Sequence, residues 1–174
     1  MTDPRYPVGP FKRKETLTDS ERVDLIRQIA EAPAQLRAAV QDLTDEQLDT
    51  PYRDGGWTVR QVVHHLPDSH LNAYIRFKLA CTEQHPTIKP YKQELWAELI
   101  DARTGPVEPS LALLEALHTR WVIFLQSLQA ADFARTFNHP ESGVQTLDAV
   151  LQLYAWHGRH HVAQITSLRE RRGW

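Results

Sequence analysis

The sequence predicts an all-α protein built on a four-helix bundle, and three observations support this prediction. Apolar residues recur at spacings of three and four along four long segments. Pro and Gly clusters separate those segments, and alternating strand-like patterns are scarce. The chain has 174 residues, of which 41% are hydrophobic, a size and composition typical of one domain. We therefore expect residues 1–174 to form a single domain, with residues 1–17 as an extended N-terminal lead-in.

The first predicted helix begins after Thr18, which forms a capping-box pattern with Glu21 three residues later. Pro33 is expected to kink or restart this helix, because proline lacks the N–H that an interior helical position needs. A second cap-like cluster at residues 44–47 and a glycine-containing turn at residues 52–56 lead to the next helix.

The second predicted helix begins after Thr58 and ends before His85, where the apolar spacing stops. Pro67 is expected to interrupt it. The long stretch of residues 86–109 is irregular and holds only a short amphipathic piece around residues 95–100.

The third predicted helix runs from residue 110 to about residue 129. The apolar pattern then fails, and turn signals within residues 132–143 favour a small hairpin. The fourth helix is expected to begin after Thr146 as N-cap and to end in the basic residues 169–172, whose charges suit a helix C-terminus.

Charge and composition argue against several classes of function. The chain has 20 Lys+Arg against 22 Asp+Glu, so its net charge does not favour binding to nucleic acid or anionic lipid. No apolar run approaches the roughly 20 residues of a membrane span. The single cysteine, Cys81, cannot form an internal disulfide, and a reducing, cytoplasmic setting is expected.

Two histidines of the fourth helix are expected to face the bundle interior. Helical arithmetic places His157 and His161 within or at the border of the apolar arc, whereas His160 falls off that face. A spacing of four residues puts both rings on successive turns, where one metal ion could bind both. The alternative interpretation is that they are buried histidines with ordinary hydrogen bonds.

The second helix offers a third histidine, but periodicity does not decide which one. His65 lies on a polar flank beside the apolar face, His70 lies at the apolar centre, and His64 points away. Pro67 lies between the two candidates and is expected to distort the helix from which their positions are calculated. Two histidines from the fourth helix and one from the second would leave an open position on the ion, as in catalytic zinc sites.

Two segments carry longer motifs. The first is GGWTVRQVVHHL at residues 55–66, followed by DSH at residues 68–70, and the second is LYAWHGRHHVAQI at residues 153–165. Both resemble the metal-ligand motifs of the DinB-like superfamily, most closely those of its YfiT-like subgroup of metal-dependent hydrolases. Residues 74–78 and 90–91 also resemble the subgroup, so the resemblance covers nearly the whole chain.

The resemblance implies a four-helix bundle with a long crossover connection and a site for one divalent ion per chain, zinc or nickel. The ligands it implies are His65, His157 and His161, and it thereby selects His65 over His70. Pro67 departs from the small helix former expected at that position. The resemblance also implies a homodimer.

The function implied is hydrolysis of a small-molecule substrate by water at the metal. Because a metal ion can also deprotonate a thiol, transfer of a low-molecular-weight thiol such as bacillithiol or mycothiol is the alternative. A third hypothesis is a non-enzymatic bundle with a structural metal and a partner-binding role. Chelation distinguishes these, because removal of a structural ion would unfold the protein.

Seven further residues are predicted to support the site or to form its pocket, each about a turn or more from a ligand. Of these, Arg76 could meet an anionic substrate or form an intramolecular ion pair. The seven are Trp57, Asp68, Ser69, Asn72, Arg76, Tyr154 and Gln164.

Overall fold

The computed structural model describes residues 3–174, and four long helices form its bundle, as predicted. The elements are α1 (Asp19–Val40), α2 (Asp45–Leu48), α3 (Val59–Thr82), α4 (Gln93–Trp96), α5 (Ile100–Thr104), α6 (Glu108–Ser127), α7 (Ala130–Phe133), β1 (Thr136–His139), β2 (Gly143–Thr146) and α8 (Leu147–Arg172). Helices α1, α3, α6 and α8 pack against one another. No helix within residues 3–174 is long and apolar enough to cross a membrane.

Threonine caps fix where three of these long helices begin. Thr18 and Thr58 form capping boxes with the residue three positions later, and the Thr146 hydroxyl accepts a hydrogen bond from the backbone N–H of Ala149. The sequence pattern predicted all three starts, because a side-chain oxygen at this position satisfies a backbone donor that the helix leaves unpaired.

The predicted restart at Pro33 and the predicted interruption at Pro67 are wrong, whereas a kink at Pro33 stays a prediction. Both prolines lie inside uninterrupted helices, α1 and α3. A proline removes the donor for the carbonyl four residues earlier, which for Pro33 is the carbonyl of Ile29. That carbonyl accepts a hydrogen bond from His118 Nδ1 at 2.6 Å instead. The replacement bond and the packing of α1 offset the loss, so the helix continues.

The connection between α3 and α6 carries the short helices α4 and α5 and crosses one side of α3. The predicted hairpin is present, with β1 and β2 antiparallel. The connection is tied to it by two backbone bonds, from Ile88 N–H to the Asn138 carbonyl and from Asn138 N–H to the Pro86 carbonyl. Gly143 begins β2 with a φ of 76°, a conformation that glycine adopts without strain.

The apolar core of the bundle falls into two clusters. One includes Ile26, Phe77 and Trp121, and the other includes Leu36, Leu66 and Ile165. Between them lies a polar layer at mid-length of the bundle. This histidine layer consists of His65, His70, His118, His157 and His161.

The N-terminal segment, residues 3–17, holds no helix or strand and lies along α8. Trp156 Nε1 donates to the carbonyl of Gly9 at 3.1 Å. The backbone N–H of Lys14 donates to Gln152 Oε1 at 2.8 Å, and Gln152 Nε2 donates back to the Lys14 carbonyl. These bonds bring the start of this segment to the histidine layer.

Candidate metal centre

Three histidines from two helices meet at one point of the histidine layer. His65 comes from α3, and His157 and His161 come from α8. Each offers one ring nitrogen, and these nitrogens lie within 4.8 Å of one another. His65 Nε2 and His157 Nε2 are 3.2 Å apart. The structure thus brings together the three residues that the motifs singled out as ligands.

Gly158 lets α8 carry its two histidines close to α1. A Cβ at this position would lie 3.1 Å from the Cβ of Ala32, which is tighter than ordinary van der Waals contact. The glycine lies directly after His157 and three residues before His161. The close approach of the two helices therefore fixes how deeply both histidine rings lie within the bundle.

The three rings are held in their neutral form. Burial lowers the pKa of His65 from its usual 6.5 to about 4, and lowers the pKa values of His157 and His161 well below the usual value. A pKa below 7 means that the ring is unprotonated at neutral pH. Neutral imidazole is the form that binds a metal ion.

Two contacts show that the donor set fits a divalent cation. His161 Nδ1 lies 2.8 Å from Gln164 Oε1, an acceptor, so Nδ1 carries the hydrogen and Nε2 keeps its lone pair. Two Nε2 lone pairs at the 3.2 Å separation of His65 and His157 would repel each other, unless a hydrogen or a cation lies between them. A metal ion bound between the three nitrogens would satisfy all of them at once.

A cavity of about 470 Å³ opens beside the three histidines. The ring of Trp57 forms one wall, with its centroid 4.7 Å from that of His65. Glu94 of α4 is the single carboxylate among the described residues that line it, and its charge partly offsets the lowered pKa of His65. The N-terminal segment and the turn before Thr58 add two cations to the wall, Arg5 and Arg53.

The sequence analysis missed several residues of this wall, among them Arg5, Tyr6, Arg53 and Glu94. They lie in the N-terminal segment, in a turn and on the four-residue helix α4. These segments are too short or too irregular for a hydrophobic period to indicate which side chains face inward. Only the proximity of their segments to the histidine motifs could have suggested them, and that proximity is a property of the folded chain.

The other predicted supporting residues divide into two groups. Tyr154 packs its ring 5.5 Å from that of His157 and shares a hydrogen bond of 3.3 Å with the Ser69 hydroxyl. The cavity beside the histidines is lined by neither of these two residues, nor by Asp68, Asn72 or Arg76. Burial raises the pKa of Asp68 to about 6, and Asn72 Nδ2 donates to the Asp68 carbonyl on its own helix.

Arg76 neither reaches the three histidines' cavity nor forms an ion pair within residues 3–174. It lines a separate cavity of about 750 Å³ beside the crossover connection, together with Tyr91 and Trp96. The polar flank of α3 that the sequence outlined therefore turns away from the histidine cluster as the helix proceeds past Ser69.

The remaining histidines of the two motifs are buried but lie outside the cluster. His64 contacts Ser110 Oγ at 2.7 Å and the Gly105 carbonyl at 3.2 Å, so it points away from the cluster, as predicted, into the crossover connection. His160 stacks on Trp156 with ring centroids 4.3 Å apart. His70, the rival candidate, is fully buried and contacts His157 Nδ1 through its Nε2.

The fold and this site define a class of protein: a helical bundle in which histidines from two helices converge beside a cavity with polar walls. The chain belongs to the DinB superfamily, whose sequence profile matches residues 28–165. The resemblance seen in the sequence motifs is thereby confirmed.

Individual relatives match over the full length. A protein of Bacillus mycoides (strain KBAB4), named "Putative metal-dependent hydrolase", is 59% identical, and one of Bacillus cereus (strain 03BB102) with that name is 58% identical, each over 100% of both chains. The solved structure of YfiT from Bacillus subtilis is 50% identical, with a TM-score of 0.97 over 99% of both chains. YfiT is described as "a probable metal-dependent hydrolase with an unusual four-helix bundle topology".

Proposed function

We propose that this protein is a metal-dependent hydrolase that binds one divalent ion, zinc or nickel, through His65, His157 and His161. One observation carries the proposal: three neutral histidine nitrogens lie within 4.8 Å of one another beside a cavity. Three neutral protein ligands, with room for water and substrate, are typical of catalytic rather than structural zinc sites. The names of the relatives support the same assignment.

The residues around the site have different roles in the proposed hydrolysis. A divalent ion with only neutral ligands supplies Lewis acidity and lowers the pKa of water. His65, His157 and His161 would hold and orient this ion. The Trp57 ring covers one side of His65 and excludes bulk solvent there. We assign the Glu94 carboxylate the role of accepting a proton from the attacking water, because no other described carboxylate lines the cavity.

Replacing Glu94 by glutamine is expected to lower kcat about 100-fold, since a positioned general base typically contributes at least that factor. Bound metal should stay at the wild-type level, because Glu94 is not among the three converging residues. Hydrolysis of a panel of nitrophenyl esters and amides, with metal content measured on the same samples, checks this. Glu98→Gln is a matched control on the same connection, because Glu98 does not line the cavity. Equal rates for wild type and Glu94→Gln would remove Glu94 from the mechanism.

Thiol transfer is the second candidate. The cavity of about 470 Å³ is many times the roughly 30 Å³ that one water occupies, so a low-molecular-weight thiol has room beside the histidines. A bound ion would deprotonate a coordinated thiol more readily than a coordinated water, because the free thiol is already the stronger acid. Assays of the same protein with water alone and with added thiols and an electrophile separate the two reactions.

The test of the metal site is elemental analysis of untagged, dialysed protein. We expect about one equivalent of zinc or nickel in the wild type, and none in a His157→Ala/His161→Ala double variant that keeps its helical circular dichroism. Absence of metal from the wild type, with no uptake of added zinc or nickel, would overturn the proposal. Unfolding of the wild type on chelation would instead favour a structural ion.

The expected homodimer and cytoplasmic location remain predictions. The exposed apolar side chains of Ile75, Leu95 and Leu99 form the wall of the cavity beside the crossover connection, and we propose this surface for contact with a second copy.

A further inference from the structure

A chain of hydrogen bonds connects the metal-site ligand His157 to the backbone of α1. His157 Nδ1 lies 3.1 Å from His70 Nε2, and His70 Nδ1 lies 2.8 Å from His118 Nε2. His118 Nδ1 lies 2.6 Å from the Ile29 carbonyl oxygen. We call this chain the histidine relay; it consists of His157, His70, His118 and the Ile29 carbonyl. It joins all four long helices through the histidine layer.

The relay begins at a proline. Pro33 has no N–H, so the Ile29 carbonyl has no α-helical donor four residues later. His118, which lies on α6, donates a hydrogen bond to this free carbonyl oxygen. A carbonyl oxygen can only accept, so the hydrogen of His118 resides on Nδ1.

That first bond fixes the direction of every later one. A neutral imidazole carries one hydrogen, so His118 Nε2 is an acceptor and His70 Nδ1 must donate to it. His70 Nε2 is then an acceptor in turn, and His157 Nδ1 must donate to it. Nε2 of His157 is left with its lone pair, and it is this nitrogen that lies 3.2 Å from His65 Nε2. Two of the relay rings, those of His70 and His118, have at most 1% of their surface exposed, so water does not compete.

We propose that His118 and Pro33, neither of which approaches the ion, are positioning residues of the metal centre: through His70 they select the tautomer and the ring orientation of His157. The part of this inference that concerns metal affinity rests on the proposed function. The part that concerns the tautomer does not.

The chemistry of the relay also sets the charge of the centre. Metal-bound histidines commonly donate their second N–H to a carboxylate, which adds negative charge beside the ion. Here His157 donates to a neutral imidazole and His161 donates to the neutral Gln164 amide. Both ligands of α8 are oriented without an anionic partner, so a bound ion would keep the charge that a carboxylate partner would partly offset.

The first measurement uses the metal-free protein. In histidine-labelled wild type after chelation, long-range ¹H–¹⁵N spectra are expected to show hydrogen on Nδ1 of His118, His70 and His157. In His118→Leu, His70 loses its acceptor, and the reversed arrangement with hydrogen on His157 Nε2 is expected. His118→Gln can still accept from His70 through its amide oxygen and should keep the wild-type tautomer. Leu114→Ala, a fully buried residue one turn away on α6, is the packing control.

The second measurement is zinc affinity by competition with a chromophoric chelator. We expect a 10- to 100-fold loss for His118→Leu, the range typical of lost support for a metal ligand, and a smaller loss for His118→Gln. Leu114→Ala should bind zinc like the wild type. Pro33→Ala restores a competing N–H to the Ile29 carbonyl and should lower zinc affinity less than His118→Leu. Unchanged affinity in this variant would remove Pro33 from the relay.

Two outcomes would overturn the proposal. One is hydrogen on His157 Nε2 in the metal-free wild type, and the other is an unchanged His157 tautomer and zinc affinity in His118→Leu. Failure of the wild type to bind zinc would overturn the proposed function instead, and the spectra of the metal-free protein would still decide the tautomer.

Discussion

Lowering the pH from 7 to 4 is expected to reduce the free energy of unfolding of the metal-free protein by several kcal/mol. Burial lowers the pKa of His65 and of His118 from 6.5 to about 4. The unfolded chain takes up protons near pH 6.5, whereas the folded rings stay neutral until about pH 4. Each such histidine therefore destabilises the fold as pH falls through this window, by about 3 kcal/mol at its lower end.

Urea unfolding in the presence of chelator, at half-unit pH steps between 7 and 4, measures this effect. His118→Gln removes one of the groups, so its stability should depend less steeply on pH than that of the wild type. His85 is exposed, and His85→Asn should follow the wild-type slope. A free energy of unfolding that stays constant from pH 7 to pH 5 would show that the histidines are not buried as described.

Truncating Trp121 to alanine is expected to cost about 3–5 kcal/mol, the range for a large aromatic removed from a core. Trp121 is fully buried on α6, and its ring lies 5.6 Å from that of Phe77 and 5.8 Å from that of His118. The substitution leaves a cavity at the border between one apolar cluster and the histidine layer. Thermal and urea unfolding of the metal-free protein measure the loss.

Trp121→Phe is the matched control. It keeps a ring in place and removes an indole N–H that has no hydrogen-bond partner among the described residues, so a much smaller loss is expected. Equal stabilities for Trp121→Ala and the wild type would contradict the packing described here.

The sequence predicted most of the bundle because the helices follow local rules. Threonine caps placed the starts of α1, α3 and α8, and the spacing of His157 and His161 placed both rings inside. His65 was different, since periodicity did not decide between His65 and His70 as the third ligand. Only the resemblance of the longer motif selected His65. The distortion expected at Pro67, which prevented the choice, does not interrupt α3.

The rest of the site depends on tertiary contacts that no local pattern encodes. Glu94 reaches the cavity because the crossover connection folds back beside α3, and it lies just before the short amphipathic piece, where no periodicity indicates which side chains face inward. His118 did leave a signal, because it lies four residues after Leu114 on the apolar stripe of α6. Pro33 was expected to kink or restart the helix; the helix does not restart there, and the missing N–H leaves the Ile29 carbonyl free for that histidine.

The division of the core into two apolar clusters has a consequence for cooperativity. Histidine side chains between the clusters contribute less hydrophobic attraction than the leucines of an uninterrupted core, so side-chain packing couples the two ends of the bundle less strongly than an uninterrupted core would. An ion bridging α3 and α8 at this level would act as a clamp between the ends. Amide hydrogen exchange should then show two groups of amides with different free energies of opening in the metal-free protein, and a single group in the metal-bound protein.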